Sequence, residues 1–196
     1  MERTFVRPGA EGLKALSHVG RLRMLGLLRS EGPATATTLA ARLGLNSGAT
    51  SYHLRQLEKH GFVVEDSDRG NGRDRWWRAA HSTTQTDSAD ITTPEEHDTY
   101  DAYLQAVVLY QQDRLQRSLE ERRLLPEDWR NAGDMSDFAL RLTAARAEEL
   151  VRAVHALIED FEQDDDAPDA APFVLNLTAF VRPGSVELEN EAGEDS

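Results

Sequence analysis

The chain of 196 residues carries 22 Lys and Arg against 35 Asp and Glu, a net charge of −13, and contains no cysteine. Disulfides, thiolate metal centres and a cysteine nucleophile are thereby excluded, and no apolar run approaches the ~18 residues that a membrane span requires. The acidity is uneven: residues 1–81 hold 13 Lys and Arg and 8 Asp and Glu, a balance of +5, whereas residues 82–196 hold 9 and 27, a balance of −18. Such asymmetry is the pattern of a module for a charged partner joined to something else; acidic helices that merely keep a protein soluble produce it too.

The opening residues, Met1 to Gly12, lack the apolar core of a signal peptide, so a cytoplasmic protein is expected. Leu13, Leu16, Met24, Leu27 and Leu28 recur at helical spacing, and residues 10–30 read as one amphipathic helix. Gly32 and Pro33 stop it. Thr35 is placed to cap a second helix whose buried stripe is Leu39, Ala40 and Leu43, and Gly44 stands where a left-handed C-cap is wanted. A further helix starts at Asn46 or Ser47 and runs to about His60. Two short helices about a glycine turn make a helix-turn-helix.

In the helix from Ser47, Leu54, Leu57 and either Ala49 or Thr50 face inward, which leaves Ser47, Gly48, Ser51, Tyr52, Arg55 and Lys59 outward. Small residues at its front permit close approach to another surface. Hydroxyls, His53, Arg55 and Lys59 supply the donors and charge that base edges and phosphates accept. Phe62 to Asp68 alternates apolar and polar residues as a strand does, Asn71-Gly72 signals a tight turn, and Asp74 to Ala80 returns as a second strand. Arg69, Arg73, Arg75 and Arg78 cluster at this hairpin, a basic wing suited to phosphates or a minor groove. Trp76 and Trp77 fall on opposite sides of the second strand, one of them toward the core.

These residues resemble a known family. The run Ala15 to Leu28, with its Ala-Leu-x-His-x-x-Arg-x-x-x-Leu pattern, and the run Thr37 to Glu65, with Ser51, His53, Leu54 and Leu57, are similar to the winged helix-turn-helix of ArsR-type bacterial transcription regulators over residues 10–80. The resemblance implies a homodimer on an inverted-repeat operator in double-stranded DNA, each recognition helix in a major groove, with Ser47, Thr50, Ser51, His53 and Arg55 on or near the DNA. The candidate DNA-binding set is Thr35, Asn46, Ser47, Gly48, Thr50, Ser51, His53, Arg55, Lys59, Arg69, Arg73 and Arg75. Without cysteine, the thiolate sensing of metal-responsive members is out.

After a Ser/Thr-rich linker, residues 82–92, Thr92 or Thr93 caps a long helix. Pro94 lies in its first turn, and Glu95 and Glu96 suit its positive end. Its apolar stripe (Tyr100, Tyr103, Leu104, Val107, Val108, Tyr110 and Leu115) calls for a packing partner. The chain bends at Pro126, with Trp129 expected to be buried. Thr143 caps a second long helix to about Glu162, striped by Leu150, Val151, Val154, Leu157, Ile158 and Phe161. Phe173 to Gly184 reads as a strand with Phe173, Leu175, Leu177 and Val181 on one face, and Arg3–Arg7, of the same chain or of the dimer mate, is its best local pairing candidate. Residues 185–196 read as a disordered tail. The run Asp134 to Leu150 resembles the helical C-terminal extension of actinobacterial regulators of this type. A small-molecule effector, if this half takes one, is expected among Tyr100, Tyr103, Tyr110, Trp129 and Phe138, although such a stripe also serves as plain helix core.

Nothing points to chemistry. His97 and Asp101, four apart, could form half a metal site, but acidic residues in a first turn are explained by the helix dipole. No phosphate-binding glycine loop, nucleophile elbow or triad spacing is present, so neither an enzyme nor a cofactor or metal is expected. The expected fold is mainly α with a small β-hairpin wing: a winged helix-turn-helix domain over 1–81, the linker, and an acidic helical dimerisation region over 93–184. The expected function is a sequence-specific transcription regulator, a dimeric repressor, with a protein–protein adaptor on the same fold as the alternative. No membrane partner is expected.

Overall fold

The apolar stripe of residues 10–30 is carried by two helices rather than one. In the computed structural model, which describes residues 4–69, 74–86, 90–164 and 167–187, α1 spans Ala10–Leu16 and α2 spans Val19–Ser30. The break falls at Ser17 and His18. The His18 imidazole caps α2 by accepting from Gly20 N at 3.0 Å, and the Ser17 hydroxyl donates back to Leu13 O at 2.9 Å. The His18 cap satisfies an amide that a helix start leaves unpaired, while the Ser17 hydroxyl finds its partner in a carbonyl that already accepts from Ser17 N, so the apolar stripe continues while the backbone turns.

β2 (Ala34–Thr35) leads into α3 (Ala36–Leu43), capped by the Thr35 hydroxyl, which accepts from Thr38 N at 3.1 Å. Gly44 follows with φ of 63°, the left-handed conformation that ends a helix at little cost only for glycine. α4 (Ser47–Lys59) begins at once, its N-cap Asn46 accepting from Gly48 N and Ala49 N. β3 (Val63–Glu65) and β4 (Trp76–Ala79) form the wing, joined antiparallel with Val63 opposite Ala79 and Glu65 opposite Trp77. β2 pairs with the other edge of β4, giving the order β2-β4-β3. The tip of the hairpin, including Asn71, Gly72 and Arg73, lies outside the described residues.

Three expectations about the rest of the chain are corrected. The segment 82–92 is not simply a linker: β5 (Thr83–Thr84) pairs in parallel with β1 (Phe5–Val6). Arg29 holds this junction by donating to His81 O and to the Thr84 hydroxyl, both at 2.9 Å. Burial pulls the Arg29 guanidinium down to about 10, against an opposing pull from Tyr103 and Tyr110. Secondly, α5 (Pro94–Glu121), opened by a full capping box between Thr93 and Glu96, packs on α1 and α2 and sends Tyr103 and Ala106 into the same core as Leu13, Leu25 and Leu57. The first compact unit therefore runs through residue 137, with 165–172, and is not confined to 1–81. It also holds α6 (Glu127–Ala132), where Trp129 is half-buried rather than buried. Thirdly, Phe173 to Gly184 forms no strand, and β1, its expected partner, is already paired.

The second unit, residues 138–164 and 173–196, holds α7 (Ala144–Asp160), capped by Thr143 as its sequence predicts. No described residue of this unit is buried. Among the described residues no helix is long and apolar enough to cross a membrane.

Candidate nucleic-acid interface

The candidate surface is built on α4. Thr50, Leu54 and Leu57 are fully buried, at spacings of four and three that put them on one side of the helix. This settles the inward position in favour of Thr50, and Ala49 is exposed. Thr50 therefore leaves the DNA-contacting set: its hydroxyl donates to Asn46 O at 3.0 Å, the partner a buried hydroxyl needs. On the opposite side Gly48, Tyr52, Arg55 and Lys59 form an exposed stripe at spacings of four, three and four. Tyr52 is 53% exposed and was missed as a candidate. Its signal was that same spacing, which sets it between Gly48 and Arg55.

The first turn of α4 is small and polar. Ser47 and Gly48 are exposed, and Asn46 is exposed with its carboxamide oxygen committed to the cap. The Ser51 hydroxyl is half-buried and donates to Ser47 O at 2.9 Å. Thr35 is likewise a half-buried cap. Such side chains position a helix start and keep it narrow; the protruding functions come from further along.

His53 does not stand on the open face. It is half-buried against His18, with ring centroids 4.4 Å apart, and its Nδ1 is buried without a hydrogen-bond partner. Desolvation, then His18 and then Arg21 hold its imidazole below the ordinary histidine range. His53 thus joins α4 to the start of α2, half-buried beside the exposed stripe.

The cations divide into free and committed groups. Arg55, Lys59 and Arg78 are exposed and form no ion pair among the described residues. Arg75 is clamped, meeting Glu65 at 2.7 Å and Glu58 at 3.0 Å with its guanidinium 4.5 Å from the Trp77 ring centroid. It braces α4 against the wing instead of projecting as a free cation, contrary to expectation. Arg69 is exposed and contacts Asp66 at 3.4 Å. Trp77 is the core-facing tryptophan, and Trp76 is half-buried.

The aromatic set expected to take an effector is divided between the two units, with Phe138 in the second. Tyr103 is core, Tyr100 and Tyr110 pack half-buried against that core, and Trp129 lies on α6. Phe138 is 85% exposed. A cavity of about 250 Å³ does open beside Tyr100, but its other walls are Arg7, Leu13, Gln85, Ile91 and Glu96, not the aromatic stripe. Among the described residues no group of three or more His, Asp or Glu side chains could hold a metal ion.

Two helices about a left-handed glycine, a buried helix set behind them and a three-stranded antiparallel sheet define a winged helix-turn-helix. Residues 16–66 match the model of a family described as a helix-turn-helix domain. Among solved structures, the chain is similar to the transcriptional regulator Tm0710 from Thermotoga maritima at 12% identity and a TM-score of 0.28, over 74% of this chain and 78% of that one. That likeness is too slight to argue from. No curated protein matches the chain.

Proposed function

We propose that the protein is a sequence-specific DNA-binding transcription regulator, a homodimeric repressor of the ArsR type that lays α4 into the major groove of an inverted-repeat operator. The observation that carries the reading is the outward stripe of α4: a small first turn followed by Tyr52, Arg55 and Lys59, with neither cation in an ion pair among the described residues. A helix entering the major groove needs a narrow leading end and unneutralised donors behind it. The match of residues 16–66 to a helix-turn-helix family supports the same conclusion. The wing, braced by Arg75, presents Arg69 and Arg78 for phosphates. The acidic balance of the rest of the chain is repelled by DNA and so favours docking through the N-terminal module.

Dimerisation is supported by α5. Beside its core-facing edge, Leu104, Val108, Leu115 and Leu119 make a second exposed stripe at spacings of four, seven and four, the pattern of a helix–helix seam.

Retention of a duplex containing the selected half-sites, measured across salt, tests the reading. A dimer making ~6 phosphate contacts should lose orders of magnitude in affinity between low and moderate salt, and random-sequence competitor should fail to displace it. Equal displacement by the competitor, or salt-independent retention, defeats it.

A further inference from the structure

We infer that residues 173–181 pair with the same residues of a second copy of this chain, as a two-stranded antiparallel ladder centred on Leu177. This rests on the dimer reading above and adds a second, separate contact to it.

Among its described residues, the unit that holds this segment shows no core of its own. None of its described residues is buried, yet α7 carries Leu150, Val151, Val154 and Leu157 along one side. A helix of this length gains most of its stability from packing an apolar face. The segment itself lies in no helix or strand, makes no backbone hydrogen bond among the described residues and is apolar: Phe173 is 62% exposed, Leu175 65% and Phe180 78%. Unpaired extended backbone is a template for another strand.

A second copy fits this template on three grounds. In a chain of net charge −13, residues 173–181 carry no charge at all, so two copies meet there without the repulsion that opposes contact elsewhere. About the centre at Leu177, a twofold axis sets Phe173 opposite Val181, Leu175 opposite Ala179 and Leu177 opposite itself. One face of the ladder is then wholly apolar, while Asn176 meets Thr178 and Val174 meets Phe180 on the other, and a slip of one residue destroys the arrangement. Pro172 and Pro183 bound the segment, as prolines bound strands. The area is of the right order. At ~150–250 Å² for a large aromatic side chain and somewhat less for Leu and Val, the exposed parts of Phe173, Leu175, Leu177, Val181 and the α7 stripe come to roughly 650 Å² per copy, against about 800 Å² per partner in a standard interface. A bare two-stranded ladder is marginal, and the α7 stripes supply its cover.

The absence of cysteine gives a clean test. Single cysteines placed along 173–181 in the full-length chain are oxidised without DNA, and the cross-linked fraction is read on a denaturing gel. Directly opposed Cα atoms lie about 4.5–5.5 Å apart, within disulfide reach, whereas two copies of residue 173 lie ~27 Å apart. Leu177→Cys should cross-link at least about tenfold more than Phe173→Cys, and mixing Phe173→Cys with Val181→Cys chains should produce the heterotypic product. A maximum at another position, a flat profile or no cross-link overturns the ladder. Since no DNA is present, failure of operator binding leaves this result untouched. Operator binding by a dimer that fails to cross-link sinks the ladder alone.

Discussion

The imidazoles of His18 and His53 stand with ring centroids 4.4 Å apart, linking the first turn of α2 to the middle of α4. His18 spends its Nδ1 on the α2 cap, accepting from Gly20 N. His53 has a buried Nδ1 without a partner and faces His18 and Arg21, while Tyr52 packs edge-on at 5.7 Å. Its folded-state pKa is depressed below the ordinary value of 6.5. The unfolded chain therefore takes up a proton first as pH falls, and stability present above about pH 6.5 is lost below it. Thermal melts between pH 7.5 and 5 should show a falling midpoint, and His53→Gln should flatten that fall. An unchanged slope in the variant would remove His53 from the account.

Arg55 and Arg75 should separate recognition from bracing. Arg55→Ala is expected to lose ~1–3 kcal/mol on the preferred duplex and to relax base preference at one position per half-site, with an unchanged melting temperature. Arg75→Ala removes two exposed ion pairs and a ring contact, each worth up to about 1 kcal/mol, so it should lower the melting temperature and leave base preference intact. Fluorescence anisotropy on matched and mismatched duplexes, beside calorimetry, distinguishes the two; exchanged phenotypes would mean that the wrong arginine has been assigned to the groove.

Gly26 of α2 lies directly against the Tyr110 ring of α5. A Cβ there would overlap the Tyr110 hydroxyl and come within 2.9 Å of Cζ of the same ring. That ring is half-buried, and its hydroxyl accepts from Arg114 Nη1 at 3.1 Å. Gly26→Ala should thus destabilise by ~1–3 kcal/mol through overpacking. In a Tyr110→Ala background the same change should be neutral or stabilising, because alanine suits a helix better than glycine. Denaturant melts of the four chains test this double-mutant cycle; additive costs would show that the two positions do not meet.

Asn46 sets where α4 begins. Asn46→Ala should reduce stability by ~1 kcal/mol through loss of the cap, whereas Asn46→Asp should be tolerated because it keeps the accepting oxygen. Urea midpoints read both, and equal losses in the two variants would show that capping is not what Asn46 contributes.

The parts legible in the sequence were those fixed by neighbours in the chain. Thr35, Asn46, Thr93 and Thr143 each signal a helix start because a short polar side chain reaches its own backbone amides. Gly44 signals a stop because of its φ. The break at Ser17 and His18 was hidden because the apolar stripe runs on across it, and histidine is an uncommon cap. That Phe173 to Gly184, expected as a strand, finds no partner within the chain has the same origin: alternation describes a face, but pairing is decided by a partner distant in sequence. Likewise, the spacing of Tyr100, Tyr103 and Tyr110 marks one side of a helix without saying whether a ligand or α1 and α2 cover it. Sequence placed Arg75 in the wing; only Glu58 and Glu65, brought to it from α4 and β3, show that its charge is already matched.

Selection of bound duplexes from a random pool by the full-length protein tests the central claim most directly. The account predicts enrichment of an inverted repeat whose half-sites lie about 10–10.5 base pairs apart, centre to centre, or a multiple of that spacing, with one position per half-site losing its preference in Arg55→Ala. A pool that stays random, or the same motif selected unchanged by Arg55→Ala and Lys59→Ala together, would contradict the claim that the outward face of α4 reads DNA.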